Sequence, residues 1–366
     1  MTSKAFGLAQ LGNAYSDGAL SNRNKIINGA MTIDQRNAGA AVTVNSAGNF
    51  YAVDRFFATG QSADGVFTAQ QSSAAAAGFN KSLLATVTTA DASIGATQQY
   101  LVGQAIEGLN VAELGWGSSD AQTVTLSFWV RSSLTGTFGG SLMNSAFNRS
   151  YPFSYAISSA DTWEYKTITV AGDTSGTWLT TNGVGIRLYF SLGAGSTYVG
   201  TAGSWSGSFL VGVTGQTNLI GTNGATFYLT GVQLEAGDTA TPFEHRSFGQ
   251  ELALCQRYYW RTSTVGGSWA QIGAGVVYSP SVAYAIVRLP CDMRASPTCS
   301  YSGGTGEVQT VAGGVAFAST TATAIAEPTP QSFRVDTVFS GGTTGHGCFV
   351  RMQHMATNYF DADAEL

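Results

Sequence analysis

The sequence predicts an all-β chain: a large jelly-roll β-sandwich, a short connector helix and a second, smaller C-terminal β domain. Three observations carry this. About ten short apolar stretches alternate with a period of two and are separated by Gly, Asn and Ser turn residues. Only one helical pattern interrupts them, so the βαβ alternation of a parallel sheet is missing. Gly accounts for 46 of 366 residues and charged residues for only 11%, against about 7% and about 25% in ordinary soluble domains. That mix suits tight turns and burial against other subunits. Plentiful aromatic and β-branched residues argue against disorder.

Taken in order, residues 1–24 are small and polar without a period, and are read as either an anchoring arm that needs a partner or a frayed terminus, the arm being the assignment carried forward. A jelly-roll domain is expected over residues 25–246. Asn28-Gly29 permits positive φ and marks a tight turn. Residues 50–59 read as one strand, with Asp54-Arg55 as a local ion pair at its edge. Weak strands follow at residues 65–70 and 81–88. A loop is expected over residues 74–78, a strand over 97–107, and a helical turn before Gly115. The clearest strand has Val124, Leu126, Phe128 and Val130 on one face. Gly136 and Gly139-Gly140 are read as turns. Strands are expected again at 165–170, at 185–192 and at 208–213. In the second of these, Ile186, Leu188, Phe190 and Leu192 share a face while Arg187 and Tyr189 point the other way. In residues 226–235 the alternation slips at Gly231, which predicts a bulge.

Pro242 then holds Thr241 extended. Ser247 and Gln250 fit a capping box, with Glu251 in the first turn. The connector helix is expected over residues 247–262, with Leu252, Cys255 and Tyr259 on one face and Leu254 and Tyr258 on the next. A helix this short and this apolar needs packing partners. Leu252, Leu254, Tyr258 and Tyr259 are therefore assigned to an oligomer contact. Residues 263–366 return to short strands broken by prolines and end in a small acidic tail, Asp361, Asp363 and Glu365.

Several function classes are disfavoured. The net charge of −5 lacks the basic footprint of a nucleic-acid partner. No apolar run is long enough to span a membrane, and the N-terminus has no apolar signal core, so synthesis in the cytoplasm is expected. Cys255, Cys291, Cys299 and Cys348 form no paired motif and are read as free thiols. His346, His354 and Cys348 lack standard metal-ligand spacing, and His245 is read as bonded to nearby backbone; neither metal nor cofactor is expected. There is no nucleophile elbow, and Gly183-Val184-Gly185 lies in a turn. Asp161, Glu164, Asp173, Glu235, Asp238 and Glu244 are dispersed, which does not favour a glycosidase pair. No enzyme is predicted. Aromatic rings in expected loops are the better-supported chemistry, because a ring can stack on the apolar face of a sugar. Tyr151 and Tyr155 belong to that set of expected loop rings, any one of which could instead fill a core edge or a subunit interface. Trp116, Trp178, Tyr198, Trp205 and Trp269 are the candidate glycan-stacking residues.

The motifs RNKIINGAMTIDQRN, YLVGQAIEGLNVAELGWG, TVTLSFWVRSSLTGTF, FYLTGVQLEAGDTATPFEHRSFGQELALCQRYYW and FDADAEL together resemble tail-fibre or receptor-binding virion proteins of tailed bacteriophages. The middle of the chain resembles a carbohydrate-binding-module jelly roll. The resemblance implies a homotrimer on the virion, attached through residues 1–24 to another virion protein, binding host cell-surface polysaccharide without catalysis. It supplies no matched ligand residues. The alternatives are a purely structural capsid fibre or decoration protein, and a polysaccharide depolymerase.

Overall fold

The computed structural model describes residues 22–262, 269–321, 323–353 and 358–366. The expected arm lies outside them up to residue 21, as does His354. The chain divides into two units between Glu251 and Leu252, inside the helix α1 (Phe248–Gln256).

The first unit runs through β1 (Val42–Val44), β2 (Phe50–Val53), β3 (Phe56–Gly60), β4 (Val66–Ser72), β5 (Ser82–Thr89), β6 (Gln99–Glu107) and β7 (Val124–Ser132). It continues with β8 (Gly136–Met143), β9 (Ser150–Ile157), β10 (Glu164–Val170), β11 (Val184–Ala194), β12 (Val199–Gly200), β13 (Gly212–Val213) and β14 (Thr226–Ala236). Two antiparallel six-stranded sheets result, in the orders β1-β4-β5-β14-β7-β10 and β2-β3-β6-β11-β8-β9. Successive strands cross repeatedly from one sheet to the other, as in a jelly roll. The core lies between the sheets. Val124, Leu126, Phe128 and Val130 are all 0% exposed there, facing Leu188 and Phe190 of the other sheet. Phe128 and Phe190 meet edge to face at 4.9 Å.

Glycine acts here through close approach as well as through turns. Gly231 has φ +60, and the β14–β7 register slips between Thr230 and Gln233, so the expected bulge is present. Gly139 and Gly140, read as a turn, are instead central in β8. A Cβ on Gly140 would stand 2.4 Å from the Phe153 ring, so glycine there makes room for a core aromatic. Tyr151 and Tyr155 likewise lie in β9 and are buried.

Asp54-Arg55 is also a correction. The two residues form the turn between β2 and β3, with Arg55 at φ +71, and both are buried. Asp54 accepts bonds from the backbone and side chain of Gln35, while Arg55 reaches the carbonyl of Ala105. Burial pushes the Asp54 carboxyl above its usual range, against the opposing pull of Arg36.

Residues 24–29 lie beside the bulged half of β14. Lys25 N–H donates to the Leu234 carbonyl at 2.8 Å and Val232 N–H to the Gly29 carbonyl at 3.0 Å. A Cβ at Gly29 would fall 2.1 Å from the Val232 oxygen, so no larger residue fits without moving backbone. Asn28, at φ +59, makes the turn that Asn-Gly predicts.

The second unit holds β15 (Tyr259–Arg261), β16 (Trp269–Ser279), β17 (Val282–Arg288), β18 (Thr298–Tyr301), β19 (Val308–Ala312), β20 (Val315–Ala318), β21 (Ala324–Thr329), β22 (Ser332–Val338), β23 (Gly347–Gln353) and β24 (Phe360–Asp363). A seven-stranded sheet, β20-β19-β23-β16-β17-β22-β21, shares a core with the three-stranded sheet β15-β24-β18. Two expectations change here. Helix α1 stops at Gln256, so Tyr259 lies on a strand rather than on the helical face of Leu252. Asp361 and Asp363 of the acidic tail lie in β24, the middle strand of the small sheet, which pairs Asp363 with Tyr259 on one side and with Thr298 on the other. The acids alternate with Phe360 and Ala362, which are fully buried, so period-two burial overrides their charge.

Candidate functional site

The outer face of the β2-β3-β6-β11-β8-β9 sheet carries a second apolar layer, built on Phe57, Leu101, Met143, Tyr189 and Val211. Alternation decides this. With Ile186, Leu188 and Phe190 turned into the core, Arg187 and Tyr189 must face outward. Gly103 is paired with Tyr189, and a Cβ there would come within 3.0 Å of the ring, so its absence lets the ring lie over the sheet. Phe57 meets Tyr189 edge to face at 6.0 Å.

Above this layer is an open groove of about 580 Å³, within the range of small-ligand sites. Thr59, Gln99, Leu101 and Tyr189 come from the strands, with Arg187 beside them. Asn49 and Gln61 flank β2 and β3, and Phe147 and Phe209 come from loops. The groove therefore offers both aromatic faces and amide, hydroxyl and guanidinium groups.

Phe147 is held in an unusual way. It sits at φ +58, a costly conformation for a bulky residue, and is 42% exposed. The buried Asn144 fixes its loop. Asn144 Oδ1 accepts from the N–H groups of Asn148 and Arg149, each at 3.1 Å, and Nδ2 donates to the Thr177 carbonyl at 3.1 Å. Phe147 then packs edge-on to Phe209 at 5.3 Å, under the Arg187 guanidinium at 4.9 Å. Burial raises the Tyr189 hydroxyl above its ordinary pKa, while the adjacent Arg187 draws it back. Gln99 is 7% exposed and its Oε1 accepts no hydrogen bond among the described residues.

The five aromatic residues singled out from sequence are dispersed differently. Trp116, Trp178 and Trp205 meet one another edge to face, at 4.8, 5.3 and 5.4 Å between ring centres. Their indole N–H groups donate to the carbonyls of Gln122, Ser175 and Ala171 respectively. Trp116 and Trp178 are each 8% exposed, and all three rings pack on the sandwich core. The bidentate Arg149–Asp173 pair, with both contacts at 2.7 Å, stands beside them. Trp116 and Trp178 close one edge of the core, while Trp205 is half-buried at its rim. Tyr198 packs on Phe209 at 5.1 Å and so supports the groove wall. Trp269 belongs to the second unit, beneath Arg351 at 4.8 Å.

The residues assigned to an oligomer contact also separate. Tyr258 and Tyr259 are buried within the chain itself, while Leu252 and Leu254 are half-buried. Phe248, at the start of the same helix, is 65% exposed.

The acids surveyed from sequence have structural roles. Asp173 holds Arg149, Glu164 holds Lys166, and Glu235 accepts from Thr241. His245 is exposed and packs against the rings of Phe79 and Phe243, rather than bonding to nearby backbone. Among the described residues no group of three or more His, Cys, Asp or Glu is placed to hold a metal ion. Cys255, Cys291, Cys299 and Cys348 form no disulfide, and burial pushes the Cys299 thiol up to about 11.

No protein-family model matches the chain, and no curated protein matches it. Several solved structures are similar to parts of it. A protein from Bacteroides thetaiotaomicron VPI-5482 proposed to bind sugar is 12% identical, with 58% of this chain and 100% of that chain covered and a TM-score of 0.35. The enzymatically active domain of bacteriophage CBA120 tailspike protein 4 is 11% identical, with 59% and 22% covered and a TM-score of 0.30. The family 11 carbohydrate-binding module from Clostridium thermocellum, in complex with a β-1,3-1,4-mixed-linked tetrasaccharide, is 10% identical, with 57% and 99% covered and a TM-score of 0.27. The chain thus spans about a fifth of the tailspike's length. With TM-scores this low, these likenesses carry no argument about function, which rests on the groove.

Proposed function

We propose that this chain is a non-catalytic carbohydrate-binding protein of a phage virion, and that the groove over Leu101 and Tyr189 holds a host-surface glycan. The observation that carries the glycan reading is the combination of aromatic faces with amide and hydroxyl groups in one open groove. Among the described residues none that lines the groove is a carboxylate, so these residues do not supply the acid pair that glycoside hydrolysis needs. The placement on a virion rests on the sequence motifs, with residues 1–24 as the attachment to another virion protein.

A glycan array probed with the full chain tests this reading, followed by titration of the best ligand. Phe147→Ala, which removes a lining ring that is 42% exposed, should weaken binding at least tenfold, equivalent to about 1.4 kcal/mol, with the fold retained by circular dichroism. Failure to bind any glycan, together with failure to compete with infection, would overturn the host-recognition reading in favour of a purely structural fibre. Release of oligosaccharide from host polysaccharide would instead identify a depolymerase.

The assembly is proposed to be a homotrimer in which Phe248, Leu252 and Leu254 of α1 take part. Light scattering should give three times the chain mass of 38.0 kDa. Leu252→Asp or Leu254→Asp should dissociate it before the sandwich unfolds. A single-chain mass for the unmodified protein rejects the trimer.

A further inference from the structure

We propose that the groove selects glycans bearing an anionic group, and that Arg187 is the residue that reads it. This rests on the carbohydrate reading above and names the ligand class. The chain as a whole carries a net charge of −5, yet the single charged residue among the described residues lining the groove is basic.

Arg187 differs from the chain's other well-placed arginines. Arg149, Arg246 and Arg334 each have carboxylates within ion-pair distance. Arg187 has none among the described residues; its neighbours are the Phe147 ring and the Tyr189 side chain. Its Nε is buried without a hydrogen-bond partner. A partly buried guanidinium without a counter-charge is costly, and an incoming anion supplies one.

The position is also rigid. Arg187 is paired with Ala105 on one side and Met143 on the other, in the interior of the sheet. With Phe147 against it, the planar fork is pre-organised, which suits bidentate contact with an oxyanion. Further along the groove, at the Ala194 end of β11, Gln99 Oε1 accepts no hydrogen bond among the described residues, and a sugar hydroxyl or a bridging water can donate one. The site thus combines a cation for the acidic substituent with an acceptor for a neutral hydroxyl.

Carboxylate and phosphate substituents share this chemistry. The test is titration calorimetry on the full chain with oligouronides, their carboxyl-reduced neutral counterparts and a phosphate-bearing oligosaccharide. At least one acidic form should bind tenfold or more tighter than its neutral counterpart, and which acidic arm is tighter identifies the substituent. The advantage should shrink as salt rises to about 1 M, where screening acts over about 3 Å. Arg187→Gln should bring the acidic-to-neutral ratio close to one. Arg187→Lys, which keeps the charge without the fork, should retain part of it. Equal binding of acidic and neutral forms overturns this inference alone. Binding of none of these probes overturns this inference; the carbohydrate reading falls only if the glycan array is empty as well.

Discussion

Arg246→Ala should cost the first unit about 3–5 kcal/mol, the typical penalty for removing one partner of a buried ion pair. The side chain of Arg246 is only 5% exposed and lies between Glu244 and Glu251, at 3.4 Å from each. It also donates to the carbonyls of Asn24 and Ile26. The two glutamates in turn bind the incoming chain. Glu244 accepts from the N–H groups of Asn22 and Asn24 at 2.7 and 2.8 Å, and Glu251 accepts from Asn28 N–H. One guanidinium therefore ties residues 22–28 to the segment that follows β14. Removing it leaves Glu251, at 8% exposure, without its cation. Urea unfolding followed by tryptophan fluorescence measures the effect. A loss under about 1 kcal/mol would place the pair among ordinary surface bridges instead.

Trp116→Ala should cost a similar amount, about 3–5 kcal/mol, through the cavity it opens, and should leave glycan affinity of the folded protein unchanged. Trp116 touches Trp178 and Trp205 edge to face, and its N–H caps the Gln122 carbonyl. Its ring packs into the sandwich core and is absent from the groove lining. Melting temperature and calorimetric titration at low temperature separate the two effects. A loss of glycan affinity without loss of stability would restore the stacking role that its sequence context predicts.

The two predictions bear on what could be read from sequence. Strands with strict alternation were legible residue by residue: Val124, Leu126, Phe128 and Val130 face the core as their spacing requires. Gly231 was legible as a bulge because the alternation itself slips there. The Arg187–Tyr189 pair of the groove was visible as the outward side of β11, yet nothing local marks it as a site. The mutual packing of Trp116, Trp178 and Trp205 was hidden for a related reason. They fall where loops are expected, and loops are normally exposed, but three distant loops fold their rings onto one another.

The sequence by itself determined the all-β fold class and the facing of residues in the strictly alternating strands, because period-two burial is a local property of the chain. It also located the start of α1, where the Gln250 N–H donates to the Ser247 hydroxyl at 3.4 Å. Only the tertiary structure decided where α1 ends, since β24, more than a hundred residues further on, draws Tyr259–Arg261 into a sheet. It alone decided that Gly140 makes room for Phe153, that Arg55 is buried, and that Phe147, Arg187 and Phe209 meet. These depend on contacts between segments far apart in the chain, whose partners no local pattern specifies.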